Sequence, residues 1–258
     1  MKKILVATPT YYGMEYCFEE FLEHLKNIDS EDFDILIMDN SRTKKFFRKI
    51  RKIRKISRIK VIYDETKEQR NMDRLISSRN KIIEYAIEKN YDYLLMMDSD
   101  VLVPPDIIKK LLNNEKDVCS GLYFNYTKVK NEFKFLPVCY RKLEEKYYPI
   151  YEKFFPKANM KMFSRQMSLT EAKSKELFEV SVASAGCLFL SKKAFSSGAR
   201  YGIIKRFEKE FEETTDDIKF FKELRESGFK IYCDTSILCA HKTKEKYERN
   251  ELDHPVFQ

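Results

Sequence analysis

The stretch Tyr93-Leu94-Leu95-Met96-Met97-Asp98-Ser99-Asp100 ends an apolar run of strand length in two carboxylates one residue apart. Pro104-Pro105 soon stops the chain from continuing as strand. Two acids at the carboxyl end of a buried strand repel each other and lose hydration. That costs free energy unless a cation or a polyhydroxylated ligand compensates. A few oxygen ligands with room for phosphate oxygens suit Mg²⁺ or Mn²⁺ better than Zn²⁺. The competing reading is an acidic turn between strand and helix, with Asp100 or Asp106 as cap. A second acid pair, Asp216-Asp217, follows Thr214-Thr215 and is good helix-start chemistry in its own right. Of three histidines, His241 sits directly after the apolar Ile237-Leu238-Cys239-Ala240, where a satisfied or surface residue is the default; His24 and His254 match nothing.

These residues need strands to carry them. Ile4–Ala7, Phe33–Met38, Lys60–Tyr63 and Tyr93–Met97 read as strands. Between them lie amphipathic helices over Glu15–Leu25, Lys44–Lys60 and Glu68–Glu88. Strands alternating with helices imply a largely parallel sheet covered on both faces, with ligands gathering at the carboxyl ends of its strands. Thr8-Pro9-Thr10-Tyr11, Asp39-Asn40-Ser41 and Asp98-Ser99-Asp100 all fall at such ends, so three strands deliver polar groups to one edge.

The second half is less regular. Val118–Tyr126 and Phe133–Tyr140 look like strands, and Lys142–Lys175 is charged and aromatic. Glu179–Leu190 is an apolar strand broken by Ala185-Gly186, Thr215–Ser227 a helix ended by Gly228, and Phe229–Cys233 and Ser236–Ala240 the closing strands. The expected architecture is α/β: one domain over 1–258 with a central, mostly parallel mixed sheet flanked by helices. Its first half would be 1–127 and its second 128–241, with 242–258 as a tail.

Composition narrows the class. In 258 residues, 43% hydrophobic and 35% charged, no apolar run approaches the roughly 20 residues that span a bilayer. The apolar run after Met1-Lys2-Lys3 is too short for a signal peptide, so the expected compartment is the cytosol. Six scattered cysteines with no Cys-x-x-Cys pair argue against a zinc site or a disulfide framework. The net charge of +8 concentrates in Lys44–Lys60, which contains no acid. That run reads either as a surface helix packed on the sheet or as an interfacial helix for anionic lipid at the inner membrane face. No nucleic-acid motif accompanies it, so nucleic acid is not expected as a partner.

In order and spacing, five segments resemble the nucleotide-sugar glycosyltransferases of the GT-A type, family 2 most of all. They are the first strand running into Pro9-Thr10-Tyr11, Asp39, Ser78-Arg79-Asn80, Asp98-Ser99-Asp100, and the C-terminal TTDDIKFFKELRESGFKIYCDTSILCAHK. The likeness covers roughly residues 3–127 and 179–242. It implies transfer of a sugar from a nucleoside diphosphate, UDP- or GDP-linked, to a glycan, lipid-linked or other hydroxyl acceptor.

The resemblance also implies roles. Pro9 and Tyr11 would floor the base pocket, with Tyr11 or Tyr12 stacking on the ring or merely plugging the strand end. Asp39 would accept from a base N–H, or else form a turn with Asn40 and Ser41. Arg79 would reach base or phosphates, or else pair with a nearby acid. Asp98 and Ser99 would meet the donor; Asp98 and Asp100 would meet Mn²⁺ or Mg²⁺, with His241 as third protein ligand. Asp217 would be the general base of an inverting transfer beside Asp216, where the family has Glu. Ala185-Gly186-Cys187 would line the acceptor side. Two alternatives stand beside this. One is a haloacid-dehalogenase-type phosphatase, since LLMMDSDVLV fits that family's first motif with Asp98 as nucleophile; the other is a non-catalytic binding protein using the basic helix.

Overall fold

The computed structural model describes residues 2–30, 33–52, 58–129, 132–154, 156, 160, 163–204 and 215–242. The apolar runs of the first half form β1 (Ile4–Thr10), β2 (Phe33–Asp39), β3 (Ile59–Tyr63) and β4 (Tyr93–Met97). They lie parallel, with Ile4 opposite Phe33 on one side and Tyr93 on the other. Between them run α1 (Phe18–Lys26), α2 (Lys44–Ile50) and α3 (Asn71–Glu88). After β4 come the two-residue β5 (Val101–Leu102), α4 (Ile107–Asn113) and β6 (Val118–Leu122).

The second half contributes a hairpin of β7 (Phe124–Val129) and β8 (Glu132–Pro137) and the small pair β9 (Tyr140–Lys142) and β10 (Ser164–Gln166). Short helices α5 (Tyr148–Glu152), α6 (Leu169–Lys173) and α7 (Lys192–Phe195) accompany β11 (Leu177–Val180) and β12 (Cys187–Ser191). Then follow α8 (Asp216–Glu226), β13 (Ile231–Leu238) and β14 (Ala240–His241).

The central sheet has eight strands in the order β11-β13-β6-β12-β4-β1-β2-β3. Strand β12 runs antiparallel to both β4 and β6, and β11 antiparallel to β13; the remaining pairings are parallel. Both faces are covered, which is why these strands read as continuous apolar runs rather than alternating ones. Leu5 and Ala7 point to the face carrying α3, α7 and α8, while Ile4 and Val6 point to the face carrying α1, α2 and α4. Each fully buried Leu or Ile on these faces contributes about 1.5–3 kcal/mol.

Several boundaries differ from the sequence expectation. β1 continues to Thr10 because the polar Thr8, Pro9 and Thr10 still pair with Ile37, Met38 and Asp39. The expected strand over 118–126 is two strands, β6 and β7, and the two expected closing strands are one, β13, with an irregular register between Cys233 and Leu238. Within the basic run, α2 buries Phe46 and Ile50 against the sheet, and Lys44 and Lys49 pair with Glu65 and Glu15. Residues 53–57 of that run and the tail from 243 lie outside the described residues. No helix among the described residues is long and apolar enough to cross a membrane.

Candidate functional site

A cleft of about 310 Å³ opens at the carboxyl edge of the sheet. The end of β1 supplies Pro9, Tyr11 and Tyr12; the turn after β2 supplies Asn40, Ser41 and Arg42. The first turns of α3 add Asn71, Met72, Arg74 and Leu75, and Asp98, Ser99, Asp100 and His241 close the far wall. A crevice outside the strand ends is where open α/β sheets take ligands.

Asp39 holds the floor together rather than lining it. Its Oδ1 accepts from the Ser41 amide (2.9 Å) and hydroxyl (2.5 Å), while the Ser41 hydroxyl accepts from the Tyr12 amide (2.8 Å). This ties the end of β1 to the end of β2, the turn that was the alternative to base binding. Burial pushes the Asp39 carboxyl up, and the Ser41 bonds oppose that. Its Oδ2 is buried and carries no hydrogen bond, as is the hydroxyl of Thr10 beside it in register. Tyr11 packs its ring over Gly13 and meets Tyr12 edge-on, with centroids 5.5 Å apart.

The acids after β4 are met by β14 and the residue after it. β14 pairs with β5 so that His241 lies opposite Val101, and the Lys242 amide donates to the Asp100 carbonyl at 2.7 Å. This brings His241 Nε2 to 3.6 Å from Asp100 Oδ2. The imidazole stacks on Tyr123 at 5.3 Å, and its buried Nδ1 has no partner. Burial, then the charge of Asp98, pushes the Asp100 carboxyl up to about 7. Burial lowers the proton affinity of His241, against the pull of Asp98.

A carboxylate whose ionisation burial opposes, beside an imidazole whose protonation burial opposes, fits a hard divalent ion, which would take the place of the proton. The Asp98 carboxylate is set between Arg79 and Gly186. Its Oδ1 accepts from Arg79 Nη2 at 2.5 Å, and its Oδ2 lies against Gly186, where an added Cβ would come within 2.9 Å. Accordingly, no group of three His, Cys, Asp or Glu among the described residues is arranged to hold a metal ion.

Arg79 does not line the cleft. Buried among α3, β4 and α8, it donates to Asp98 and, through Nη1, to Asp216 Oδ2 at 2.6 Å. The pairing with acids, the alternative at the sequence level, is what the structure contains: the Arg79 side chain is only 4% exposed, and a charge that buried is not left unpaired. Asp216 is itself buried, which pushes its carboxyl up against the pull of Arg79. Asp217, one residue on, is half-buried and accepts from the Thr215 hydroxyl at 2.5 Å. Its charge is felt by Tyr123 and Tyr140. Ala185 and Gly186 form the turn into β12: the Gly186 carbonyl accepts from the Asp98 amide (3.0 Å) and its amide donates to the Tyr123 hydroxyl (3.4 Å).

Sequence reasoning missed two residues. Arg74 is buried in the cleft wall and donates to the carbonyls of Asn40, Ser41, Thr66 and Glu68 at 2.6–3.2 Å, fixing the loops after β2 and β3. Its position five residues before Arg79 on a polar helix start was the only signal. Tyr123, which supports both His241 and Gly186, lies between β6 and β7 in a run that read as one uninterrupted strand.

The sequence profile of the family described as "Glycosyl transferase family 2" matches residues 5–195. No curated protein sequence matches the chain. Among solved structures, GalNAc-T7 with UDP, GalNAc and Mn²⁺ superposes with a TM-score of 0.62 at 12% identity, over 95% of this chain and 45% of that one. TarS of S. aureus (residues 1–349) with UDP-GlcNAc gives 0.56 at 15% identity, over 96% of this chain and 60% of that one. This chain thus spans about half the length of these relatives. The likeness is one of fold, the GT-A arrangement. With the profile spanning most of the sheet and the acids standing at its strand ends, the chain belongs to glycosyl transferase family 2.

Proposed function

We propose that this chain moves a sugar from a nucleoside diphosphate, UDP- or GDP-linked, to an acceptor hydroxyl with inversion at the anomeric carbon. The observation that carries the reading is the meeting of two acids at Arg79. Asp98 from the donor cleft and Asp216 from the start of α8 are held by one guanidinium, which supports Asp217, the residue after Asp216, as the base. The base and ribose would lie between the Pro9–Tyr12 turn, Asn40 and Arg74, with Asp98 and Ser99 facing the donor. Asp100 and His241 would hold Mn²⁺ or Mg²⁺, which supplies Lewis-acid neutralisation of the diphosphate when bound. GalNAc-T7 was solved with Mn²⁺ and UDP, which supports the donor class and the ion.

In the transfer, the acceptor oxygen forms a bond to the anomeric carbon as the bond from that carbon to the phosphate oxygen breaks. The electron pair leaves with the diphosphate, and the acceptor proton passes to Asp217. A positioned base contributes about 10²–10⁴-fold. Asp217→Asn therefore keeps UDP affinity and loses turnover by that factor, measured by calorimetry and by UDP release. Full turnover in that variant would remove Asp217 from the role. The acceptor lies on the side of Ala185 and Gly186 in this reading.

A further inference from the structure

Three consecutive side chains on α3 reach separate elements, because successive residues of a helix project about 100° apart. Ser78 donates to Asp64 Oδ2 beyond β3 at 2.7 Å. Arg79 bonds Asp98 and Asp216. Asn80 makes a two-way clamp on the backbone of Tyr201: Nδ2 donates to the carbonyl (3.1 Å) and Oδ1 accepts from the amide (2.9 Å).

The clamped segment is in turn fastened along α8. The Gly202 amide donates to the Asp216 carbonyl at 3.2 Å, and the Arg200 amide to Glu223 Oε2 at 2.8 Å. The Tyr201 ring stacks on Phe220 with centroids 4.2 Å apart and planes within 8°. Arg79 also lies over that ring, 5.1 Å from its centre. Thr215, which caps α8, gives no side-chain bond to the helix's own amides. The start of α8 is therefore held from outside, through residues 200–202 and Arg79.

We infer that Arg79 and Asn80 are positioning residues, a strut from α3 that sets where α8 begins and hence where Asp217 stands relative to Asp98. The inference rests on the reading of Asp217 as base. It assigns Asn80, which touches neither cleft nor acids, an effect on turnover without an effect on donor binding. Displacing a catalytic group by about 1 Å costs on the order of 10²-fold.

The test uses the full chain with Asn80→Ala, Asn80→Asp and Arg79→Lys. Asn80 is half-buried, so its truncation leaves the core intact. Hydrogen exchange of the amides at 215–220 reads the strut directly. UDP with Mn²⁺ reads donor binding, and UDP release from UDP-GlcNAc reads turnover. In Asn80→Ala, exchange at 215–220 speeds up about tenfold or more. UDP affinity stays within about twofold, and kcat falls about 10²-fold with donor KM unchanged. Asn80→Asp keeps the acceptor for the Tyr201 amide and falls between; Arg79→Lys cannot span both carboxylates and also speeds exchange at α8.

Exchange and kcat in Asn80→Ala equal to the unaltered protein would overturn the inference. So would a uniform rise in exchange across the sheet with parallel loss of UDP binding, which marks a merely structural role. An unaltered protein that releases no UDP would count against the proposed transfer and not against the strut, for which the exchange measurement decides alone.

Discussion

Replacing Gly186 by Ala adds one methyl group at a crowded point of the site. The new Cβ would lie 2.9 Å from Asp98 Oδ2, 2.9 Å from Val101 Cγ2 and 3.1 Å from Tyr123 Cε1. None of the three can retreat freely. Val101 is fully buried, Tyr123 is 7% exposed and stacked on His241, and Asp98 is anchored by its other oxygen to Arg79. The cost is therefore steric. Overpacking of this kind costs about 1–3 kcal/mol. At roughly 2–4 °C per kcal/mol for a domain of this size, Tm falls by about 2–12 °C. The displaced group with most slack is the Asp98 carboxylate, so UDP affinity measured with Mn²⁺ falls together with Tm. Gly186→Ser, with the same Cβ, behaves alike. A thermal-shift and calorimetric comparison that finds both Tm and UDP affinity unchanged in Gly186→Ala would refute the packing argument.

Asp100 gives a pH dependence of definite sign. Its carboxyl is raised to about 7, above the roughly 3.9 of an unfolded chain, so the folded state binds the proton more tightly. Without a divalent ion its contribution to stability is complete below about pH 4 and is lost as pH rises toward 7. Urea titrations should show that fall, and Asp100→Asn should flatten it; burial lowers the proton affinity of His241. Because the ion must displace the proton, Mn²⁺ affinity weakens by up to about tenfold per pH unit below 7, checked by calorimetry at pH 5, 6 and 7. Arg74→Met strips donors from four loop carbonyls and is expected to cost about 2–5 kcal/mol in urea unfolding, with Arg74→Lys recovering only part.

The first half of the fold was legible because each parallel strand there is an apolar run ended by polar residues, as in Tyr93–Met97 before Asp98. Its ligand edge was legible for the same reason. The second half was not, since its strands owe their limits to tertiary pairing: β12 starts at Cys187 only because it runs antiparallel between β4 and β6. Among site residues, the grouping of Asp100 with His241 came from the family resemblance, since a lone histidine after an apolar run carries no such signal by itself. The commitments of Asp39 to Ser41 and of Arg79 to two acids were not separable from their alternatives, because a buried carboxylate takes whichever donor the fold brings nearest. Arg74 and Tyr123 act through loop carbonyls and a stacked ring, contacts that leave no pattern in the chain.

Titrating UDP, and then GDP, CDP and dTDP, into the protein with Mn²⁺ and with EDTA decides whether the cleft between Tyr11 and His241 holds a nucleoside diphosphate with a divalent ion. The expected result is saturable binding of at least one of them that is lost with EDTA and weakened about tenfold or more in Asp100→Asn. Absence of binding by all four, or binding indifferent to both EDTA and Asp100→Asn, would contradict it.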